Sequence, residues 1–213
     1  LDKFIPELED YIRHNYTKRN SPEENRIVFD MHGTGRILVP SIDKEIERDV
    51  QAHIHDKKFL DPFLRAGDNS ANALAAMKEL VALAKKNGIN LIVFINPIYK
   101  ITYLNTNLSQ FAFFKKQLAA ITDYYDFSGL NSITTNNYYY YESSHFRLLV
   151  GDMMLKTMLG APKVAVPSDF GFHATRANID SHLKNQCREI RKIKSELNAV
   201  NSEFADSCGK IPD

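Results

Sequence analysis

Between Ser70 and Asn87 the apolar positions Leu74, Met77, Leu80, Val81 and Ala84 recur at helical spacing among good helix formers, and Asn87-Gly88 supplies a stop. The pattern then changes. INLIVFINP, residues 89–97, is almost wholly apolar and rich in branched side chains, which predicts a strand covered on both faces. Helical spacing returns in NLSQFAFFKKQLAAI through Leu108, Phe111, Phe114, Leu118 and Ile121. DYYDFSG reads as a second short strand and turn. Residues 144–159 predict a further helix carrying Phe146, Leu149, Val150, Met153, Leu155 and Met158, with Gly160 at its end.

The flanks are patterned more weakly. Phe4, Leu8, Tyr11 and Ile12 fall on one helical face, so a short helix is expected over residues 3–14; SPEEN interrupts it, and RIVFDM reads as a strand ending near Met31. HGTGRILVPS, with two glycines and a proline, is expected to be loop, and charge pairs over 42–58 suggest one helix that breaks before DPFLRAGDN. Residues 162–176 are rich in turn formers and read as a linker. Beyond them Leu183, Cys187, Ile190, Ile193, Leu197 and Val200 share a helical face, while Lys184, Arg188 and Lys192 lie elsewhere, the ordinary pattern of a helix packed on one side. Contact with a partner subunit and a local basic surface are its other uses.

Helix, buried strand, helix, strand, helix is the pattern of an α/β fold with helices covering a mostly parallel sheet. The expected division is an α/β domain over residues 1–176 and a C-terminal helix over 177–213. Three clear strands are few for a complete layer, so either weakly patterned strands lie elsewhere or a part is missing.

Composition narrows the function classes. The chain has 213 residues and 44% hydrophobic content, enough for a sizeable core. With 27 Lys plus Arg against 26 Asp plus Glu, no overall field steers a polyanion, and composition does not suggest nucleic acid as a partner. Two cysteines, Cys187 and Cys208, are too few for a disulfide scaffold and leave a single bridge open. No apolar run is long enough to span a membrane, and the first residues have neither the basic nor the apolar region of a signal peptide. The chain opens on Leu rather than Met, as expected where upstream residues have been removed.

YYYYESSHFRLLVGDMM, residues 138–154, gathers candidate chemistry at one element boundary. In open α/β sheets, reacting groups collect beyond the strand ends and at the first turns of following helices. Glu142 and His145 are three apart, so one turn or a tight loop can set a carboxylate against the imidazole, with Ser143 or Ser144 as helix cap. A carboxylate so placed fixes the ring tautomer and lets the other nitrogen take a proton from a hydroxyl. The competing reading is structural: an acid at a helix start, an ordinary exposed histidine, and tyrosines filling a half-buried face.

INLIVFINPIY, YYDFSGL and YYYYESSHFRLLVGDMML together resemble the SGNH/GDSL-like hydrolase superfamily, in particular its bacterial cell-envelope O-acyltransferase and esterase branch. The resemblance implies a three-layer α/β/α fold and a late Asp-x-x-His element supplying acid and base, which His145 and Gly151 match. Glu142 stands where that family has aspartate. No Gly-Asp-Ser element occurs; GDNS at 67–70 is more simply a helix start, and in RIVFDMHGTGR glycine occupies the serine position. An upstream segment carrying the first strand and the nucleophilic serine is therefore expected. The resemblance further implies no metal, no organic cofactor, an acylated carbohydrate or glycan substrate, and an extracytoplasmic location.

The remaining features have plain readings. Asn96 sits where an oxyanion donor could, yet Asn-Pro also ends strands. His32, His53 and His55 lack the spacing of a metal site. Arg147 either meets an anionic substrate group or pairs with an exposed acid. Phe111, Phe113 and Phe114 are expected in the core. The functional expectation is a serine esterase or O-acyltransferase with His145 as base and Glu142 as orienting acid; the alternative is a noncatalytic carbohydrate-binding or assembly module.

Overall fold

A computed structural model describes residues 26–29, 35–38, 40–63, 70–161 and 163–197. The helix expected over 3–14, residues 67–69 of GDNS, His32 and Cys208 lie outside them. The chain divides into two compact units, residues 1–53 and 54–213.

In the first unit β1 (Arg26–Phe29) pairs antiparallel with β2 (Gly35–Leu38), Phe29 opposite Gly35. GRIL was expected as loop because glycine and proline flank it; pairing with RIVF overrides that local signal. Helices α1 (Pro40–Arg48) and α2 (Val50–Ile54) replace the single helix expected over 42–58. Pro40 suits the first helical position, where no N–H is needed. The break falls at Asp49, whose side chain accepts the Ala52 N–H at 2.9 Å. That bond gives the second helix its own start.

The second unit opens with a 3₁₀ turn at Lys57–Phe59 and continues through α3 (Ser70–Lys86), β3 (Phe94–Ile95), α4 (Lys100–Leu104), α5 (Leu108–Ile121) and β4 (Tyr124–Asp126). It ends with α6 (Leu148–Leu159), β5 (Phe172–Ala174) and α7 (Ile179–Leu197). The class is mixed α/β. Its sheet runs β3-β4-β5, with β3 parallel to β4 and β5 antiparallel to it. β5 lies inside the expected linker, and its three residues are too few to leave an alternating pattern.

The strand expected over 89–97 is shorter and less covered than its composition implies. Val93 is buried, but Phe94 is 44% and Ile89 60% exposed. Among the described strands β3 pairs only with β4, and an apolar run by itself does not reveal whether a second layer exists. The main core gathers Val93, Leu118, Tyr124, Ala174, Ile179 and Leu183, so α5 and α7 close over the sheet. Burying each of the two leucines contributes about 2 kcal/mol. A second cluster joins Phe127 and Ile133 to Val150 and Met154 of α6, with Phe170. Leu80 is exposed although its spacing placed it on the apolar stripe of α3.

Candidate functional site

Helix α6 begins at Leu148, four residues later than the start expected at 144. The intervening residues make a tight hairpin. Arg147 N–H donates to the Tyr139 carbonyl at 2.8 Å, Tyr141 N–H donates to the His145 carbonyl at 2.8 Å, and Tyr140 bridges Phe146. Aromatic packing anchors its base: Tyr140 is fully buried, its ring 5.1 Å from that of Tyr99, which in turn lies 5.5 Å from Phe59. The buried Thr102 hydroxyl of α4 donates to the Ser143 carbonyl at 2.9 Å and fixes the tip. Ser143 is thus held by its backbone, and neither serine caps α6.

Within this loop Glu142 turns back on the chain. Its carboxylate accepts the Ser144 N–H at 2.8 Å and the His145 N–H at 3.0 Å, with the Ser144 hydroxyl 2.8 Å from both oxygens. The same carboxylate meets Nδ1 of His145. Burial works to raise the Glu142 carboxyl, but hydrogen bonds from His145 and Ser144 outweigh it and hold the group below its ordinary value. The predicted pair therefore forms. The His145 side chain is 70% exposed, and its Nε2 has no hydrogen-bond partner among the described residues. With Nδ1–H directed at the carboxylate, a tautomer assigned from these contacts, Nε2 carries the lone pair that can take a proton. Ser144 Oγ lies 2.9 Å from Nδ1, the nitrogen already engaged by Glu142, so it is not placed to give a proton to Nε2.

The other anticipated residues lie in quieter places. Arg147 is buried, donates to the Tyr138 carbonyl at 3.2 Å and sits over the Tyr138 ring at 4.6 Å. Asn96 is exposed directly after β3. His53 is buried and His55 exposed. Phe111 and Phe114 pack, whereas Phe113 is 62% exposed and outside the core.

A second carboxylate–histidine pair was not anticipated. Asp126, at the C-terminal end of β4, is 2% exposed. Its Oδ2 lies 2.9 Å from Lys115 Nζ, 2.9 Å from His182 Nε2 and 3.3 Å from Gln186 Nε2. Its Oδ1 accepts the Ser128 N–H at 2.9 Å and the Ser128 hydroxyl at 2.6 Å. Lys115 is fully buried, donates to Gln186 Oε1 at 2.8 Å and lies 4.5 Å from the Phe111 ring centre. Gly129, at φ +98°, makes room: a Cβ there would lie 2.6 Å from Gln186 Nε2.

Burial works to raise the Asp126 carboxyl, yet the Lys115 charge and the bonds from His182 and Ser128 hold it well below the usual carboxylate range. Burial pulls the Lys115 ammonium down, opposed by Asp126. With donors from four residues converging on one carboxylate, we take Asp126 as ionised and Lys115 as its counter-charge.

Two signals pointed to this network. Leu108, Phe111, Lys115 and Leu118 follow a 3-4-3 spacing, so a lysine interrupts an apolar stripe. His182 and Gln186 are one helical turn apart beside Leu183 and Cys187. Among the described residues no group of three His, Cys, Asp or Glu side chains is placed to hold a metal ion, and no helix is long and apolar enough to cross a membrane. No family model, curated protein or solved structure matches the chain.

Proposed function

We propose that the protein is a serine esterase or O-acyltransferase-like enzyme of the cell envelope, with an acylated carbohydrate as substrate. His145 is the general base and Glu142 the acid that orients it. The observation that carries this reading is the Glu142 carboxylate against Nδ1 of an exposed imidazole whose Nε2 has no partner among the described residues. An imidazole so held takes a proton from a nucleophilic hydroxyl through Nε2 and returns it to the leaving group, while Glu142 stabilises the imidazolium between the two transfers. The nucleophilic serine is assigned to a segment outside the described residues.

The alternative is a noncatalytic carbohydrate-binding or assembly module, in which the tyrosine run at 138–141 would have to supply a sugar-contacting surface. Tyr140 is sealed in the core and Tyr139 packs with Phe146, which weighs against that use.

The test is hydrolysis of p-nitrophenyl acetate and of acetylated oligosaccharides by the full-length protein and its His145→Ala variant. Removing a general base is expected to lower kcat/KM by about 10²–10⁴-fold. Since His145 is exposed, the variant should keep its fold to within about 0.5 kcal/mol. An active wild type with an equally active variant would refute the assignment.

A further inference from the structure

A cavity of about 480 Å³ opens beside the buried network, lined by Asp126, Ser128, Phe172, His182 and Gln186 together with more exposed residues of α7 and the 168–171 turn. Its volume falls within the roughly 300–1,000 Å³ of small-molecule sites. His182 forms part of its wall and is 9% exposed. One ring nitrogen, Nε2, is committed to Asp126. The ring face lies flat on Phe172, centroids 4.0 Å apart and planes within 2°. Nδ1 has no hydrogen-bond partner among the described residues. With the proton on Nε2 directed at the carboxylate, Nδ1 is an acceptor that keeps some contact with solvent, so a hydroxyl entering the cavity can donate to it.

We propose that this cavity binds a neutral polyhydroxylated ligand, of mono- or disaccharide size, one hydroxyl of which donates to His182 Nδ1. The inference is independent of the reaction assigned to Glu142 and His145.

Charge balance selects the ligand class. Asp126 on the wall is offset by Lys115, and Glu189 by Lys192 at 2.8 Å. Asp169 accepts the Ser132 N–H and hydroxyl at 2.8 and 2.7 Å, and Arg188, the cation of the rim, donates to Asn185 at 2.8 Å. Three carboxylates thus stand against Lys115, Lys192 and Arg188. An anion would face Asp169 and Glu189, and a cation Arg188, without net gain in either case. Hydroxyl groups, which both donate and accept, can use His182 Nδ1, the carboxylate oxygens and the Asn185 amide together. Phe172, also on the wall, offers an apolar surface for ring C–H groups.

The test follows ¹⁵N resonances of the full-length protein, histidine rings included, on addition of glucose, N-acetylglucosamine or maltose, with inorganic phosphate as the anionic comparison. The expected result is a millimolar dissociation constant for at least one sugar, with the largest shifts at His182 Nδ1 and at the Ser128 and Asn185 amides; a constant near 1 mM corresponds to about −4 kcal/mol. Asn185 is exposed, so Asn185→Trp should fill the cavity mouth and weaken binding at least about tenfold, a change of about 1.4 kcal/mol, while the remaining spectrum stays in place. His182→Phe, which keeps the stack on Phe172 and removes the acceptor, should do the same. The proposal is overturned if no sugar shifts these signals, if phosphate alone does, or if Asn185→Trp leaves sugar binding unchanged.

Discussion

Glu142–His145 and Asp126–His182, two carboxylate–histidine pairs among the described residues, are built in opposite ways. Glu142 and His145 are three residues apart in a hairpin loop, with the imidazole exposed and backbone N–H groups completing the carboxylate's shell. Asp126 and His182 are 56 residues apart, brought together by β4 and α7, with a lysine buried behind them. The local pair is made by the chain folding on itself and leaves a nitrogen facing solvent. The distant pair exists only once the core has closed, and it holds the sheet to α5 and α7. The same chemical groups are therefore available for reaction in one place and committed to the fold in the other, where His182 alone keeps a nitrogen unengaged beside a cavity.

If that contrast is right, removing the two acids should have very different consequences for folding. Asp126→Ala strands the Lys115 ammonium in the core and takes away the acceptor for His182, Gln186 and Ser128. Breaking a buried pair in this way typically costs about 3–5 kcal/mol. Glu142→Ala, at a partly exposed site screened by solvent, should cost under about 1 kcal/mol. Urea denaturation of both variants checks the ratio. Equal losses would mean that the loop pair is as structural as the buried one, and the contrast would fail.

A smaller effect sharpens the same point. Gly129→Ala removes no member of the buried network but puts a methyl group 2.6 Å from Gln186 Nε2, at a backbone φ of +98° that alanine rarely adopts. We expect a loss of about 1–3 kcal/mol from the backbone strain and from displacing Gln186 off Asp126. Gln186→Ala should remove part of that penalty, since the side chain that clashes is gone. If the double variant is no more stable than the sum of the single losses predicts, the glycine serves only its own backbone conformation.

How far the chain could be read follows the same division between local and distant. Helices α3, α5 and α7, the strand at Tyr124–Asp126 and the meeting of Glu142 with His145 were all legible, because each depends on residues within a turn or two of each other. The strand at Phe172–Ala174 was not, since three residues carry too little periodicity and the pairing with β4 decides their conformation. The late start of α6 was missed for a related reason. Apolar spacing continues back to Phe146, but the hairpin bonds of Tyr141 and Arg147 claim the backbone that a longer helix would need. Asp126 looked like the end of a strand and His182 like part of a packed helix; both descriptions hold, yet only the fold makes them neighbours. Of the two local signals, Lys115 within the apolar stripe of α5 marked the network more sharply, because a lysine seldom lies fully buried unless a counter-charge is waiting for it.

The smallest expected effect concerns acid. Glu142 is held below its ordinary value of 4.5 in the folded protein. In the acid range the unfolded chain therefore binds more protons at this residue than the folded one, so stability rises with pH there. Its contribution is present above 4.5 and fades as the pH falls through the depressed folded value, whereas Asp126, held much lower, keeps its carboxylate into stronger acid. A ¹³C titration of the two carboxyl groups should show Glu142 protonating first, at a midpoint below 4.5, with the His145 and Ser144 amide signals moving alongside it because their N–H groups donate to that carboxylate. Glu142→Gln should abolish that coupled movement while leaving the Ser128 amide, bonded to Asp126, unaffected. Protonation of Glu142 at or above 4.5, or amide signals that ignore it, would mean that the loop carboxylate is not held by His145 and Ser144 in solution, and the base would lose the group that orients it.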